Sequence, residues 1–153
     1  VDSLWIDLSK GLGCPIGGVL AGDKDFIQSA FRFKHQFGGA MRQSSIIAAA
    51  GVYALENNIE RLIEDHENAL LLAKLLKEIP GIKVSLKDTE TNLVFFDVSR
   101  TGMTSNQISS QLLNLGIHIG TITNTVMRAV THLDITQGMI QEAAKNLAKI
   151  VEN

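Results

Sequence analysis

Cysteine is nearly missing from this sequence: Cys14 is the only one in 153 residues. No disulfide can form within the chain, and the usage suits a reducing compartment such as the cytoplasm. Charge of one sign is also missing. Fourteen Lys and Arg stand against sixteen Asp and Glu, for a net charge of −2. With no basic block, the electrostatics give no support to binding nucleic acid or a membrane surface. No apolar run is long enough to cross a bilayer, and no signal-peptide pattern opens the sequence. Repeats and low-complexity tracts are absent too. What is present is a hydrophobic content of 45%. That is enough for a real core, over a length that suits one domain or pieces of two.

The chemistry-bearing stretch is Leu4 to Gly22. An apolar run ending at Leu8 meets Ser9 and Lys10, then small residues, then a second apolar run from Ile16 to Ala21. Short apolar runs bounded by Gly and Pro read as buried strands. Lys10 then sits where the first strand ends, beside glycines that let the backbone turn sharply. A lysine held between buried strands loses hydration and becomes a nucleophile able to hold a Schiff base. A solvated turn lysine is the other reading, and spacing alone leaves both open. A phosphate-binding P-loop is the weaker reading, because no Gly-Lys-Ser/Thr follows a glycine at the required distance. Cys14 reads as a small packing residue before it reads as a reactive thiol.

Asp23 caps a predicted helix over 24–36, with Phe26, Ile27, Ala30 and Phe31 on its apolar face and Gly38 and Gly39 ending it. Arg32, Lys34 and His35 read as a solvated basic edge. Arg42 precedes an alanine-rich helix over 44–56. A helix start in a glycine-rich turn suits an anion there, or a structural ion pair. A second helix is predicted over 59–79. His66 falls on its apolar stripe as a core residue, and Glu64 and Asp65 read as solvated acids. Pro80 and Gly81 stop it. Ile82, Val84 and Leu86 alternate as a half-exposed strand, and the run from Leu93 to Val98 reads as a buried one. A helix from Thr104 or Ser105 to Leu115, strands over 117–122 and 126–132, and a last helix capped by Asp134 or Thr136 complete a compact α+β unit. The boundary is placed inside the long helix, giving domains 1–66 and 67–153. Arg128 lies in the strand over 126–132 on the side of Val126 and Val130. Read as buried, its charge needs a carboxylate such as Asp97 or Asp134, or a bound anion. His132 reads as hydrogen-bonded at that strand's end. Val1 to Asp7 reads as core strand with no cap before it, the expectation being a fragment of a larger protomer.

The segments DLSKGLGCPIGGVLAG, GGAMRQ, ALENNIERLIEDHENA, TNLVFFDV and MRAVTHLDI, in that order, resemble the low-specificity L-threonine aldolases. The likeness runs from about Leu8 to the C-terminus. It implies an α/β protein of the aspartate-aminotransferase-like type (fold type I), with the end of the large domain followed by an α+β small domain. It also implies dependence on pyridoxal 5'-phosphate, with Lys10 as the Schiff-base lysine and Ser9, Lys10 and Arg42 at the cofactor. Arg128, within RAVTH, would hold the carboxylate of a β-hydroxy amino acid. The implied reaction is retro-aldol cleavage of L-threonine or L-allo-threonine to glycine and acetaldehyde, by a dimer or tetramer in the cytoplasm. The catalytic base is not identified. A related β-eliminating lyase or hydroxymethyltransferase and a non-catalytic remnant are the rival readings. These residues alone are expected to be inactive, because phosphate anchoring and ring stacking fall to a preceding segment.

Overall fold

A computed structural model describes residues 1–152; Asn153, the end of the expected second domain, lies outside the described residues. The chain divides into two compact units, with Val1–Leu62 as the first and the second beginning at Ile63.

In the first unit, β1 (Ser3–Asp7) and β2 (Gly18–Gly22) form an antiparallel pair with Asp7 opposite Gly18. α1 (Lys24–Gln36) follows, and the Asp23 side chain accepts from the Phe26 N–H at 2.8 Å, the expected cap. α2 spans Ser45–Asn57. The strands expected to be buried are exposed within this unit, Trp5 at 65%. Only two strands pair here, so neither face of the ribbon is sealed. An isolated ribbon of that kind is marginal by itself. The unit's core lies next to it: Leu8, Leu12, Cys14 and Ala54, with Ala50 and Leu62 packed against them. Cys14 is buried there, its Sγ 3.4 Å from the Ala50 carbonyl, and is the packing residue expected.

α3 (Leu62–Lys77) begins at the last residue of the first unit, and from Ile63 onward it belongs to the second, which continues with β3 (Lys83–Val84), β4 (Leu93–Asp97), α4 (Ser105–Asn114), β5 (Gly120–Thr121), β6 (Val126–Val130) and α5 (Gln137–Glu152). From β3 onward this is the expected α+β order. The sheet is antiparallel in the order β3-β4-β6-β5. Thr104 closes a capping box with Gln107 at the start of α4, and the Thr136 hydroxyl accepts from the Met139 N–H at 3.3 Å at the start of α5. Such reciprocal or single caps satisfy N–H groups that a helix start leaves without partners. Gly81 has φ 84°, and a Cβ there would come within 3.0 Å of the Arg100 carbonyl oxygen, so the turn after Pro80 requires glycine.

The core forms on one face of the sheet. Val94 and Phe96 from β4 and Met127 and Ala129 from β6 pack with Leu72 and Leu76 of α3, Ile108 and Leu112 of α4, and Leu147 of α5. Side chains alternate across a strand, so Phe95 and Val130 are exposed on the other face. β4 is therefore half-buried where a fully buried strand was expected. In α3 the buried side chains are Asp65, Asn68, Ala69, Leu72, Ala73 and Leu76. The apolar stripe read from the sequence is therefore out of phase at the helix start: His66 is exposed and Asp65 is buried. Backbone demand explains this. The Thr131 hydroxyl donates to the Asp65 carbonyl at 2.6 Å, and the Asn68 amide donates to the Ile135 carbonyl at 3.0 Å. Buried polar groups tolerate that position because they have partners.

Phe96→Ala is expected to cost about 3–5 kcal/mol of stability, as truncation of a buried aromatic does. Phe95→Ala, one residue along on the open face, should change it by no more than about 0.5 kcal/mol. Denaturant unfolding of both variants checks the contrast.

Candidate active site

The turn after β1 carries the first group of candidates. Gly13 N–H donates to the Lys10 carbonyl at 2.9 Å, and Cys14 N–H donates to the Leu8 carbonyl at 2.9 Å. The chain thus folds back over Leu8 and leaves the Lys10 side chain pointing outward, 77% exposed. That corrects the expectation of a desolvated lysine: the strands beside it are open within this unit. Gly11 packs close to Leu62, where an added Cβ would lie 2.9 Å from Leu62 Cδ2. A side chain next to Lys10 would push into the unit's small core.

Ser9 and Lys10 share one partner that the sequence reading missed. Asp7 Oδ1 accepts from both the Ser9 N–H at 2.9 Å and the Ser9 hydroxyl at 2.6 Å. Asp7 Oδ2 lies 3.9 Å from Lys10 Nζ. The signal was present, as an acid two and three residues before a Ser-Lys pair at a strand end. A serine hydroxyl has one proton, so Ser9 Oγ is committed to Asp7 as a donor in this arrangement. The hydrogen bonds from Ser9, side chain first and backbone next, hold the Asp7 carboxyl below the usual carboxylate range, and the Lys10 charge adds to this. A carboxyl lowered on folding adds stability above its unfolded pKa, and loses it as pH falls through the folded one.

Arg42 stands in the turn before α2, exposed, next to Gln43, which has φ 53°. The Ser44 side chain makes no capping hydrogen bond. The N–H groups of that helix start thus have no side-chain acceptor from Ser44. Lys10, Ser9 and Arg42 all belong to the first unit.

Arg128 belongs to the second. The expectation of a buried guanidinium fails, because Arg128 is exposed. It pairs in register with Phe95 on the sheet face away from the helices, whereas Met127 and Ala129 face the core. Neither suggested aspartate holds it among the described residues. Asp97 accepts from the Ser99 N–H at 2.8 Å. Asp134 is 3.5 Å from His132 Nδ1, which also accepts from the Asp134 N–H at 3.4 Å. His132 is hydrogen-bonded at the strand end, as expected, and also lines a mainly apolar cleft of about 380 Å³ with His118, Ile135 and Met139. Among the described residues no cluster of His, Cys, Asp or Glu is arranged to hold a metal ion, and no helix is long and apolar enough to cross a membrane.

Residues 1–99 match the family model of the beta-eliminating lyases. The low specificity L-threonine aldolase of Escherichia coli (strain K12) is 42% identical over 143 residues, covering 94% of this chain and 41% of that protein. Low-specificity L-threonine aldolase 1 of Arabidopsis thaliana is 37% identical over 136 residues, covering 88% of this chain and 38% of that protein. The chain thus spans about two fifths of the length of these relatives. A solved structure from Exiguobacterium sp. 255-15, described as an aromatic amino acid beta-eliminating lyase/threonine aldolase, superposes with a TM-score of 0.74 at 22% identity. It covers 97% of this chain and 45% of that one. This likeness bears on fold alone, and the fold is the aspartate-aminotransferase-like, type I arrangement expected from the sequence.

Ser9→Ala removes the largest contribution holding the Asp7 carboxyl down. Its titration midpoint, followed by carboxyl NMR, should rise towards the ordinary aspartate value. Asp97, held down in the same way by Ser99, should not move.

Proposed function

This chain belongs to the beta-eliminating lyase family, and from that premise we propose that it is part of a pyridoxal-phosphate-dependent lyase cleaving L-threonine or L-allo-threonine to glycine and acetaldehyde. The observation that carries this reading is the 42% identity to the Escherichia coli low specificity L-threonine aldolase across 94% of the chain. Residues 1–66 are the end of the large, cofactor-binding domain, and 67–153 are the small domain. The whole protein acts as a cytoplasmic homo-oligomer. The exposed apolar surface of the first unit, including Trp5, Phe31 and Phe37, supports burial against further protein.

The residues present are of the right chemical kind for the cofactor. Lys10 offers a primary amine on an outward-facing turn, next to Gly11, which packs close to Leu62. Arg42 and the start of α2 offer a guanidinium and backbone N–H groups to an anion. Pyridoxal phosphate, when bound, supplies the electron sink for breaking a bond at the substrate's α-carbon. Lys10 is the covalent anchor. Ser9 serves the same site through its hydroxyl, which must turn from Asp7 if it is to donate elsewhere. Arg128 orients the substrate carboxylate: its fork can grip two oxygens, and its exposure on the open sheet face leaves it accessible to them. The family match itself favours one second reading, a β-eliminating lyase acting on a related amino acid. Product analysis with threonine separates the two, because only the aldolase releases acetaldehyde.

Borohydride reduction of the full-length protein with pyridoxal phosphate, followed by peptide mapping, should mark Lys10. Label on another lysine would overturn the assignment. Arg128→Lys should lower kcat/KM for threonine by about 30-fold or more while cofactor absorbance persists. Arg42→Ala should weaken cofactor retention and be partly rescued by excess cofactor. An Arg128→Lys enzyme with full activity removes Arg128 from the site.

A further inference from the structure

One carboxylate joins the two residues at the heart of the proposed site. Asp7 closes β1 opposite Gly18, so its backbone is fixed by strand pairing. One oxygen takes both hydrogen bonds from Ser9, and the other faces Lys10 Nζ at 3.9 Å. The two Ser9 bonds orient the carboxylate, with its other oxygen towards Lys10. The Asp7 side chain is 22% exposed against 77% for Lys10. The acid is thus the more buried member of the pair and the lysine the more exposed one.

We propose that Asp7 is a positioning residue for Lys10: its carboxylate draws the lysine side chain back over the end of β1 and holds its amine there until another partner takes it. An amine engaged by a carboxylate must leave it before its nitrogen can attack a carbonyl. Asp7 therefore acts as a restraint that is released when Lys10 engages. The proposal rests on the reading of Lys10 as the cofactor-bearing lysine, but its test needs no cofactor.

Cofactor-free protein is treated with formaldehyde and cyanoborohydride at one fixed pH, and methylation of each lysine is followed by peptide mass. Asp7→Asn keeps an oxygen that can accept both Ser9 bonds and loses only the charge. Lys10 should then be labelled roughly two- to fivefold faster than in the parent, the range expected for an exposed ion pair. Lys24 and Lys34 should be unchanged. Asp7→Glu restores the charge and should bring the Lys10 rate back towards the parent's. Equal Lys10 rates in the parent and Asp7→Asn overturn the proposal. So does a change seen only in Asp7→Ala, since that would mean Asp7 merely pins the turn. If Asp7→Asn fails to fold, the parent alone decides. Added salt screens exposed charges, so Lys10 labelling should accelerate relative to Lys24, and an unchanged ratio overturns the proposal. Failure of the Lys10 cofactor assignment shows up separately, as borohydride label on a different lysine.

Discussion

The pairing of β4 with β6 is the constraint on which the second unit depends. Its register sets Phe96 against Met127 on one face and Phe95 against Arg128 on the other. Because side chains change face at every residue, a slip by one can pair Phe96 with Arg128 on a single face, so that either Phe96 leaves the core or Arg128 enters it. The helices above the sheet hold that register by supplying apolar partners to one face only. Asn92 and Thr131 fasten the end of the same pair reciprocally, with Thr131 N–H donating to the Asn92 carbonyl at 3.0 Å and the Asn92 amide donating to the Thr131 carbonyl at 2.9 Å. The open face is where a guanidinium can stand without the desolvation cost of burial.

Local chemistry was legible in the sequence, and the choice of buried face was not. Asp23 before an apolar-periodic run gave α1 with both ends correct, and Thr104 was one of the two starts read for α4, because caps act within one turn and need no knowledge of the rest of the chain; its reciprocal partner Gln107 was not read. Period two placed Arg128 with Val126 and Val130 correctly, but says only which residues share a face. Which face meets the helices is decided by partners far away in sequence. The same limit explains α3, where an apolar stripe through Ile63 and His66 competed with one through Asp65 and Asn68. The segment after β6 meets the second, where the Ile135 carbonyl accepts from the Asn68 amide and the Thr131 hydroxyl donates to the Asp65 backbone carbonyl, which no spacing rule on the helix could have indicated.

The family resemblance pointed to Lys10, and the desolvation read for it from the sequence is not what this chain shows. Its side chain is 77% exposed, with a carboxylate three residues earlier beside it. That pair is local enough to have been read from the sequence, but attention to glycines and apolar runs passed over it. Lys10 and Arg128 also differ in how they are held. The first rides on a tight turn over a small cluster that includes Leu8 and Leu12, and the second on a strand paired on both sides, with β4 and β5.

The bond from the Thr131 hydroxyl to the Asp65 carbonyl joins positions 66 apart in sequence. Everything from β3 through β6 lies between them. This bond to the first turn of α3 therefore cannot form while the chain is being made or refolded until the last strand of the sheet is in place. Long loops close late because their entropy cost comes before the contact that rewards it. That one bond therefore has to wait for the whole sheet-forming stretch, whatever the turns of α3 do earlier on their own.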